Sequence, residues 1–207
     1  LVEELLELGL TDAAMDEWGC VTATLPASEG VDAPVIGWVA HVDTSPEVSG
    51  KDVRPIIHTA YDGGAITLPA GDIELTPESS PHLSKCVGHD VITADGRTLL
   101  GADDKAGIAE IITAVAWLLD HPEVKHGAIR LAFTCDEEVG RGTLKFDIEA
   151  FGAKCAYTVD GETVGEVENE TFCADLATVT VTGQNVHPGY AKDKLHNALK
   201  GLAAVIE

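Results

Sequence analysis

Apolar residues along the first part of the chain follow the periods of strands and of one helix. Val35–Val42 is a continuous apolar run of strand length, which predicts a strand buried on both faces. Apolar positions alternate over 128–134, and Cys155–Val159 is another short apolar run. Over Ala106–Leu119 the apolar residues recur at helical spacing and predict an amphipathic helix. Strands that alternate with such a helix predict an α/β fold, with a mixed, partly parallel sheet flanked by helices.

Two other stretches have a different pattern. Gly, Pro and Asp separate short apolar pieces between Ser49 and Asp95, which predicts hairpins inserted between the strands of the sheet. Valine and threonine alternate over 178–182, which predicts a half-exposed strand, and a helix is predicted from Asp193. We therefore predict one domain over residues 1–169 and the beginning of a smaller α+β domain over 170–207.

Composition narrows the classes of function. The chain carries 35 Asp and Glu against 13 Lys and Arg, a formal net charge of −22. This charge excludes nucleic acids and acidic membranes as partners, because both bind basic surfaces. No apolar run reaches the length of about 18 residues that predicts a membrane span. The five cysteines include no CxxC pair, so we expect a reducing, cytoplasmic location.

Four clusters of polar side chains fall at the ends of predicted strands or at the start of the helix. In an open parallel sheet, ligands bind in the crevice beyond the carboxyl ends of the strands, so we expect these clusters to converge. The clusters are His41 with Asp43, Asp103 with Asp104, Asp136 with Glu137 and Glu138, and Asp160.

Convergence of five or six carboxylates creates strong repulsion unless a cation compensates it. One histidine with several carboxylates suits zinc, manganese or cobalt better than calcium. A carboxylate that bridges two metals about 3.5–4 Å apart would also allow a shared water to be activated for hydrolysis. Each cluster alone has an ordinary explanation, such as a helix N-cap or a solvated turn. Their joint occurrence at strand ends favours a metal site.

The segments HVDTS, TLLGADDKAG, FTCDEEVGRG, YTVDGE and NVHPGYAK, in this order, resemble the motifs of the peptidase T family. These tripeptide aminopeptidases are one group of the co-catalytic dizinc peptidases, and the resemblance extends from about Val35 to Val205. It implies a zinc-dependent aminopeptidase that releases the N-terminal residue of tripeptides and holds two zinc ions per subunit. Residues 1–169 would then be an incomplete catalytic, metal-binding domain. Residues 170–207 would begin a lid domain. The resemblance is compatible with a homodimer that forms through this lid domain.

The resemblance also assigns roles by position in the motifs. His41 resembles a terminal zinc ligand, and Asp103 resembles the carboxylate that bridges the two ions. Glu138 and Asp160 resemble terminal ligands, one for each ion.

The remaining roles in the motifs do not involve direct contact with metal. Glu137 resembles the general base that takes a proton from water. Asp43 would hold the imidazole of His41 in its tautomer and orientation. His187, in the second domain, would reach toward the substrate when the domains close.

Two departures from the family pattern qualify these expectations. Glu162 stands where the family usually has glycine, which adds a charged side chain to the loop after Asp160. The family also takes its last zinc-binding histidine from a segment far beyond Glu207. We therefore expect a fragment of a longer protein that alone is inactive or binds metal weakly. The alternatives left open are a related dizinc dipeptidase, an N-acyl amino-acid deacylase and a non-catalytic cation-binding protein.

Overall fold

Nine strands and four α-helices occur in residues 1–161, 163–170 and 173–206, the part of the chain that the computed structural model describes. The chain divides into two compact units, Leu1–Glu166 and Val167–Glu207. The strands are β1 (Ala14–Met15), β2 (Val21–Leu25), β3 (Ile36–His41), β4 (Ile56–His58), β5 (Ile66–Thr67), β6 (Glu74–Leu75), β7 (Val91–Thr93), β8 (Ile129–Thr134) and β9 (Cys155–Thr158). The helices are α1 (Val2–Glu7), α2 (Ala102–Asp120), α3 (Ile148–Phe151) and α4 (Ala198–Ile206).

The central sheet of the first unit has the strand order β1-β2-β8-β3-β9. β3 runs parallel to both β8 and β9, whereas β2 runs antiparallel to β1 and β8. His41 lies opposite Thr134 in the register, and Val39 lies opposite Thr158. The carboxyl ends of β3, β8 and β9 therefore meet at one edge of the sheet. This topology confirms the predicted mixed, partly parallel α/β sheet.

The core of the first unit lies between this sheet and α2. Ile111 and Val115 on α2 are buried in one cluster with Leu131 and Phe133 of β8. Burial of each such side chain contributes about 1.5–3 kcal/mol of hydrophobic free energy. α2 begins at Ala102, but its backbone is not helical until after Asp104, so the regular helix agrees with the predicted one.

Two further strands complete the comparison with the sequence-based expectations. β2 is not among the predicted strands, although Val21, Ala23 and Leu25 alternate inward and are buried. β9 agrees with the short apolar strand predicted at Cys155–Val159, but all four of its residues are exposed despite that apolar sequence. The reason is its position at the edge of the sheet, where β3 is its one neighbour within the described residues.

The segment between β3 and α2 contains small antiparallel ribbons, as predicted. β5 pairs with β6, and β4 pairs with β7 across that hairpin. Tyr61, Ile66, Leu68 and Leu83 form a separate small core beneath them. Among the described residues, no helix has both the length and the apolar character that a membrane span requires.

The second unit corrects two secondary-structure predictions. The strand predicted over 178–182 is absent; in the described part of this unit, the one β-bridge joins Gln184 and His196. A strand needs a neighbouring ladder to satisfy its backbone, and this segment has none there. The helix predicted from Asp193 begins at Ala198, where Asn197 Oδ1 accepts a hydrogen bond from the Leu199 N–H at 2.9 Å.

The buried face of β8 gives a direct test of this core. Leu131→Ala should lower the free energy of unfolding by about 2–5 kcal/mol, because Leu131 is fully buried and truncation leaves a cavity. Leu144→Ala is the matched control, since Leu144 is 69% exposed and should change stability by less than about 0.5 kcal/mol. Urea unfolding of both variants measures the difference, and equal losses would contradict the described core.

Candidate metal centre

Three predicted ligands meet where the parallel strands end. His41 is the last residue of β3 and is 3% exposed, Asp103 lies in the first turn of α2, and Asp160 follows β9. One ligand atom from each residue can be chosen such that all three lie within 4.8 Å of one another. His41 Nε2 is 2.8 Å from Asp103 Oδ1 and 3.7 Å from Asp160 Oδ2.

These three residues fit a divalent cation. A tetrahedral ion with ligand bonds of about 2.0–2.1 Å places neighbouring ligand atoms roughly 3.3 Å apart. The two measured distances from His41 Nε2 lie on either side of that value. An imidazole nitrogen with two carboxylates is also a donor set that suits zinc, manganese or cobalt.

The charges of the site show why a cation would be favourable. Asp104 is buried, and its Oδ1 accepts a bond from the Gly107 N–H. Its Oδ2 has no hydrogen-bond partner among the described residues. Burial is the largest cause and the charge of Asp160 the second of a rise in the pKa of Asp104 to about 7. Burial and the charge of Asp103 also raise the pKa of Asp160.

His41 is subject to opposing effects. Burial lowers the pKa of His41, but the hydrogen bond with Asp103 and the negative charges of Asp160, Asp104 and Asp43 outweigh it. The net result is a pKa above the ordinary value, so a proton on the imidazole partly compensates the carboxylates. A divalent cation at the same place would compensate more of the charge.

The predicted base and its neighbours lie beside this group. Glu137 Oε2 is 3.9 Å from His41 Nε2, and the Glu137 side chain is 55% exposed. His41 Nδ1 lies 3.1 Å from the main-chain oxygen of Asp43 and 3.4 Å from its Oδ1. The N–H groups of Glu137 and Glu138 both donate to the Asp43 carboxylate. The Glu138 carboxylate is not one of the three clustered ligands.

Two further predicted residues are His187 and Glu162. His187 belongs to the second unit, where it is exposed and its Nδ1 accepts a bond from the Gly189 N–H at 3.1 Å. Its role toward a substrate therefore stays a prediction. Glu162 lies outside the described residues.

Lys105 and Gly107 support the site but were not predicted from the sequence. Lys105 Nζ donates to the main-chain oxygen of Val42 at 3.2 Å, which ties α2 to the end of β3. A Cβ atom at Gly107 would overlap the main-chain oxygen of Val159 and crowd Asp104 Oδ1. Glycine inside a helix costs about 0.5–1 kcal/mol relative to alanine, so its presence in GADDKAG was a signal of close packing.

The sequence of the chain matches a known protein family. The sequence profile of peptidase family M20/M25/M40 matches residues 77–205, more than half of the chain. The chain belongs to this family. The matched residues include α2 with Asp103, the turn with Glu137 and Glu138, and Asp160.

Individual relatives in the family confirm the resemblance to peptidase T. The chain is 54% identical to peptidase T of Bacillus pumilus (strain SAFR-032) over 201 residues, which are 97% of this chain and 49% of the relative. The chain thus spans about half the length of the curated relatives it matches.

Solved structures of peptidases also superpose on the chain. Aminopeptidase PepT from Bacillus cereus ATCC 10987 covers 99% of this chain and 48% of its own, with a TM-score of 0.66. A tripeptidase from Staphylococcus aureus subsp. aureus Mu50 covers 78% of this chain and 36% of its own, with a TM-score of 0.54. The sequence identities to these two structures are 26% and 25%, respectively.

The raised pKa values predict that the stability of the metal-free chain and the stabilisation by Zn²⁺ change in opposite directions with pH. Asp104 and Asp160 hold protons in the folded state at pH values where the unfolded chain has lost them. Without metal, their contribution to the free energy of unfolding therefore falls as pH rises between about 4 and about 7. Zn²⁺ must displace the protons on its ligands Asp160 and His41, whose pKa values are both raised, so the stabilisation by Zn²⁺ should increase over the same interval.

Thermal unfolding of the chelator-treated chain, with and without Zn²⁺, measures both trends at about pH 5 and about pH 7.5. Asp104→Asn is the control for the metal-free trend, because it removes the carboxyl with the pKa of about 7 and should reduce that slope. An equal Zn²⁺ effect at both pH values would contradict the prediction.

Gly107 offers a second test of the site. Gly107→Ala should separate α2 from the residue before Asp160, so it should weaken Zn²⁺ binding and lower stability. Gly161→Ala is the matched control, because a Cβ atom there meets no atom of the described residues within 4 Å. Calorimetric titration with Zn²⁺ compares the two variants. Wild-type affinity in Gly107→Ala would show that this close packing does not hold the ligands together.

Proposed function

We propose that the first unit carries the metal centre of a zinc-dependent aminopeptidase that releases the N-terminal residue of tripeptides. The observation that carries the proposal is the meeting of His41, Asp103 and Asp160, with Glu137 Oε2 3.9 Å from the shared imidazole. Similarity to peptidase T, and to a solved protein named a tripeptidase, supports the choice of substrate. The proposal extends to residues 1–169 as the catalytic domain and 170–207 as the start of the lid.

In this proposal, His41, Asp103 and Asp160 would hold one zinc ion. Asp103 and Glu138 would serve the second ion. When bound, the ions supply Lewis-acid chemistry, which makes water a stronger nucleophile at neutral pH and polarises a carbonyl group. A homodimer through the lid and a cytoplasmic location belong to the same proposal.

Glu137 moves the proton in this mechanism. Its Oε2 takes a proton from the attacking water and passes it to the nitrogen of the leaving amine, so that the peptide bond breaks without releasing a strong base. The carboxylate is suited to this task because it is exposed to solvent and its Oε2 lies 3.9 Å from His41 Nε2. A purely structural cation site has no need of such an extra carboxylate, which favours the enzyme over a non-catalytic cation-binding protein.

His187 is proposed to bind the substrate. A histidine can donate a hydrogen bond to the oxygen on which negative charge develops, or to a substrate carboxylate. In the second unit it stands at the start of the short Pro188–Tyr190 turn, exposed and with Nε2 not used for capping that turn.

Replacement of the base is the first test of the mechanism. Glu137→Gln should lower kcat for a tripeptide by about 10²–10⁴-fold, because the amide cannot accept the proton, while zinc content stays unchanged. Glu123→Gln, an exposed position on the loop after α2, is the control and should keep wild-type kcat. Activity and zinc content are measured on the protein in the form that its organism produces. Wild-type turnover by Glu137→Gln would overturn the mechanism.

The same preparation decides the substrate class. Hydrolysis is compared for a tripeptide, a dipeptide and an N-acetyl amino acid at equal concentrations. Preference for the tripeptide supports the proposal, whereas dominant hydrolysis of the dipeptide or the acylated substrate would assign the protein to another group of the family.

A further inference from the structure

The turn that carries Glu137 and Glu138 lacks a cap from its own sequence. Glu137–Val139 forms a short 3₁₀ turn between Asp136 and Gly140, and both flanking residues have left-handed backbone angles. The first N–H groups of any helical turn have no partner within it, and a side chain just before the turn usually accepts from them. Within the described residues, the Asp136 side chain makes no such hydrogen bond.

Asp43, which is distant from the turn in the sequence, takes the place of that cap. Its Oδ1 accepts from the Glu137 N–H at 3.2 Å, and its Oδ2 accepts from the Glu138 N–H at 3.1 Å. One carboxylate thus satisfies two neighbouring N–H groups, each with a different oxygen. Because Asp43 follows β3 and the turn follows β8, these bonds connect the ends of two parallel strands.

The backbone around Asp43 is itself held on both sides. The Val42 N–H donates to the Thr134 main-chain oxygen at 2.8 Å, and the Val42 oxygen accepts from Lys105. The far end of the turn is closed by its own main-chain bonds, from Gly140 to Glu137 and from Arg141 to Asp136. The near end has the Asp43 carboxylate.

His41 Nδ1 has a second oxygen of Asp43 beside it. The main-chain oxygen of Asp43 lies 3.1 Å from His41 Nδ1, and the side-chain oxygen lies 3.4 Å away. The peptide carbonyl can therefore share in fixing the tautomer that leaves Nε2 free for a metal, while both carboxylate oxygens accept from the turn. We infer that Asp43 is a positioning residue for Glu137 and Glu138, which holds the turn of the proposed base and ligand against the end of β3.

The consequence for catalysis rests on the proposed function. A base displaced by about 1 Å can lose roughly 10²-fold in rate, so the anchoring of this turn would be felt in kcat. The anchoring itself is a property of the chain without metal or substrate, and it can be measured in that state.

Amide hydrogen exchange, followed residue by residue by NMR on the metal-free chain, tests the inference. Asp43→Ala should speed exchange at the Glu137 and Glu138 amides by about 10–100-fold, because each loses a hydrogen bond to a charged acceptor. Asp43→Asn keeps a single carbonyl acceptor, so at least one of the two amides should exchange faster. Amides of Leu131 and Phe133 in β8 report global opening and serve as the internal reference.

Two control variants make the result specific. Asp147→Asn changes the same chemical group at the cap of α3, where Asp147 Oδ1 accepts from the Ala150 N–H at 2.9 Å; it should leave Glu137 and Glu138 unaffected. His41→Gln removes the imidazole and keeps the Asp43 carboxylate, so it should also leave both amides protected.

The outcomes separate this inference from the proposed function. Unchanged exchange in Asp43→Ala and Asp43→Asn would overturn the inference even if the protein hydrolyses tripeptides. Equal acceleration in His41→Gln and Asp43→Asn would also overturn it, because the effect would then pass through the imidazole. Faster exchange confined to the Asp43 variants supports it even if no peptidase activity is found. If Asp43→Ala does not fold, the nearly isosteric Asp43→Asn carries the test.

Discussion

The parallel pairing of β3 with both β8 and β9 is the constraint on which the metal centre depends. Parallel strands end at the same edge, so the residues that follow them are brought together although they lie far apart in the sequence. His41, Glu137 and Asp160 follow or end these three strands, and Asp103 reaches the same edge from the start of α2. The antiparallel strand β2 completes the core but contributes none of these groups.

Assembly of this edge concentrates negative charge. Asp104 is buried, with one oxygen that has no hydrogen-bond partner in the described part of the chain. The pKa values of Asp104 and Asp160 are raised because their charges are poorly solvated and close together. An arrangement of this kind is unfavourable for a protein that only has to be stable. It is reasonable for a protein whose folded state is completed by a cation, because the binding energy of the cation then offsets the repulsion.

Local patterns in the sequence predicted much of this architecture. The runs at β3 and β8 and the helical spacing of α2 agree with the structure, because each element buries a regular apolar face. The pairing of Asp43 with the Glu137 turn has no such signal, because it joins residues more than 90 positions apart. The exposure of β9 has no signal in the sequence either, since an apolar run does not reveal whether its strand lies at the centre or the edge of a sheet.

The exposed edge of β9 determines where the central sheet can accept another strand. On the side away from β3, within the described residues, its main-chain N–H and C=O groups have no neighbouring strand, and its sequence is apolar rather than charged. β9 itself contains no lysine or proline, the residues that discourage other chains from adding to a sheet. The side of β9 away from β3 is therefore where a further strand can extend the central sheet through main-chain hydrogen bonds.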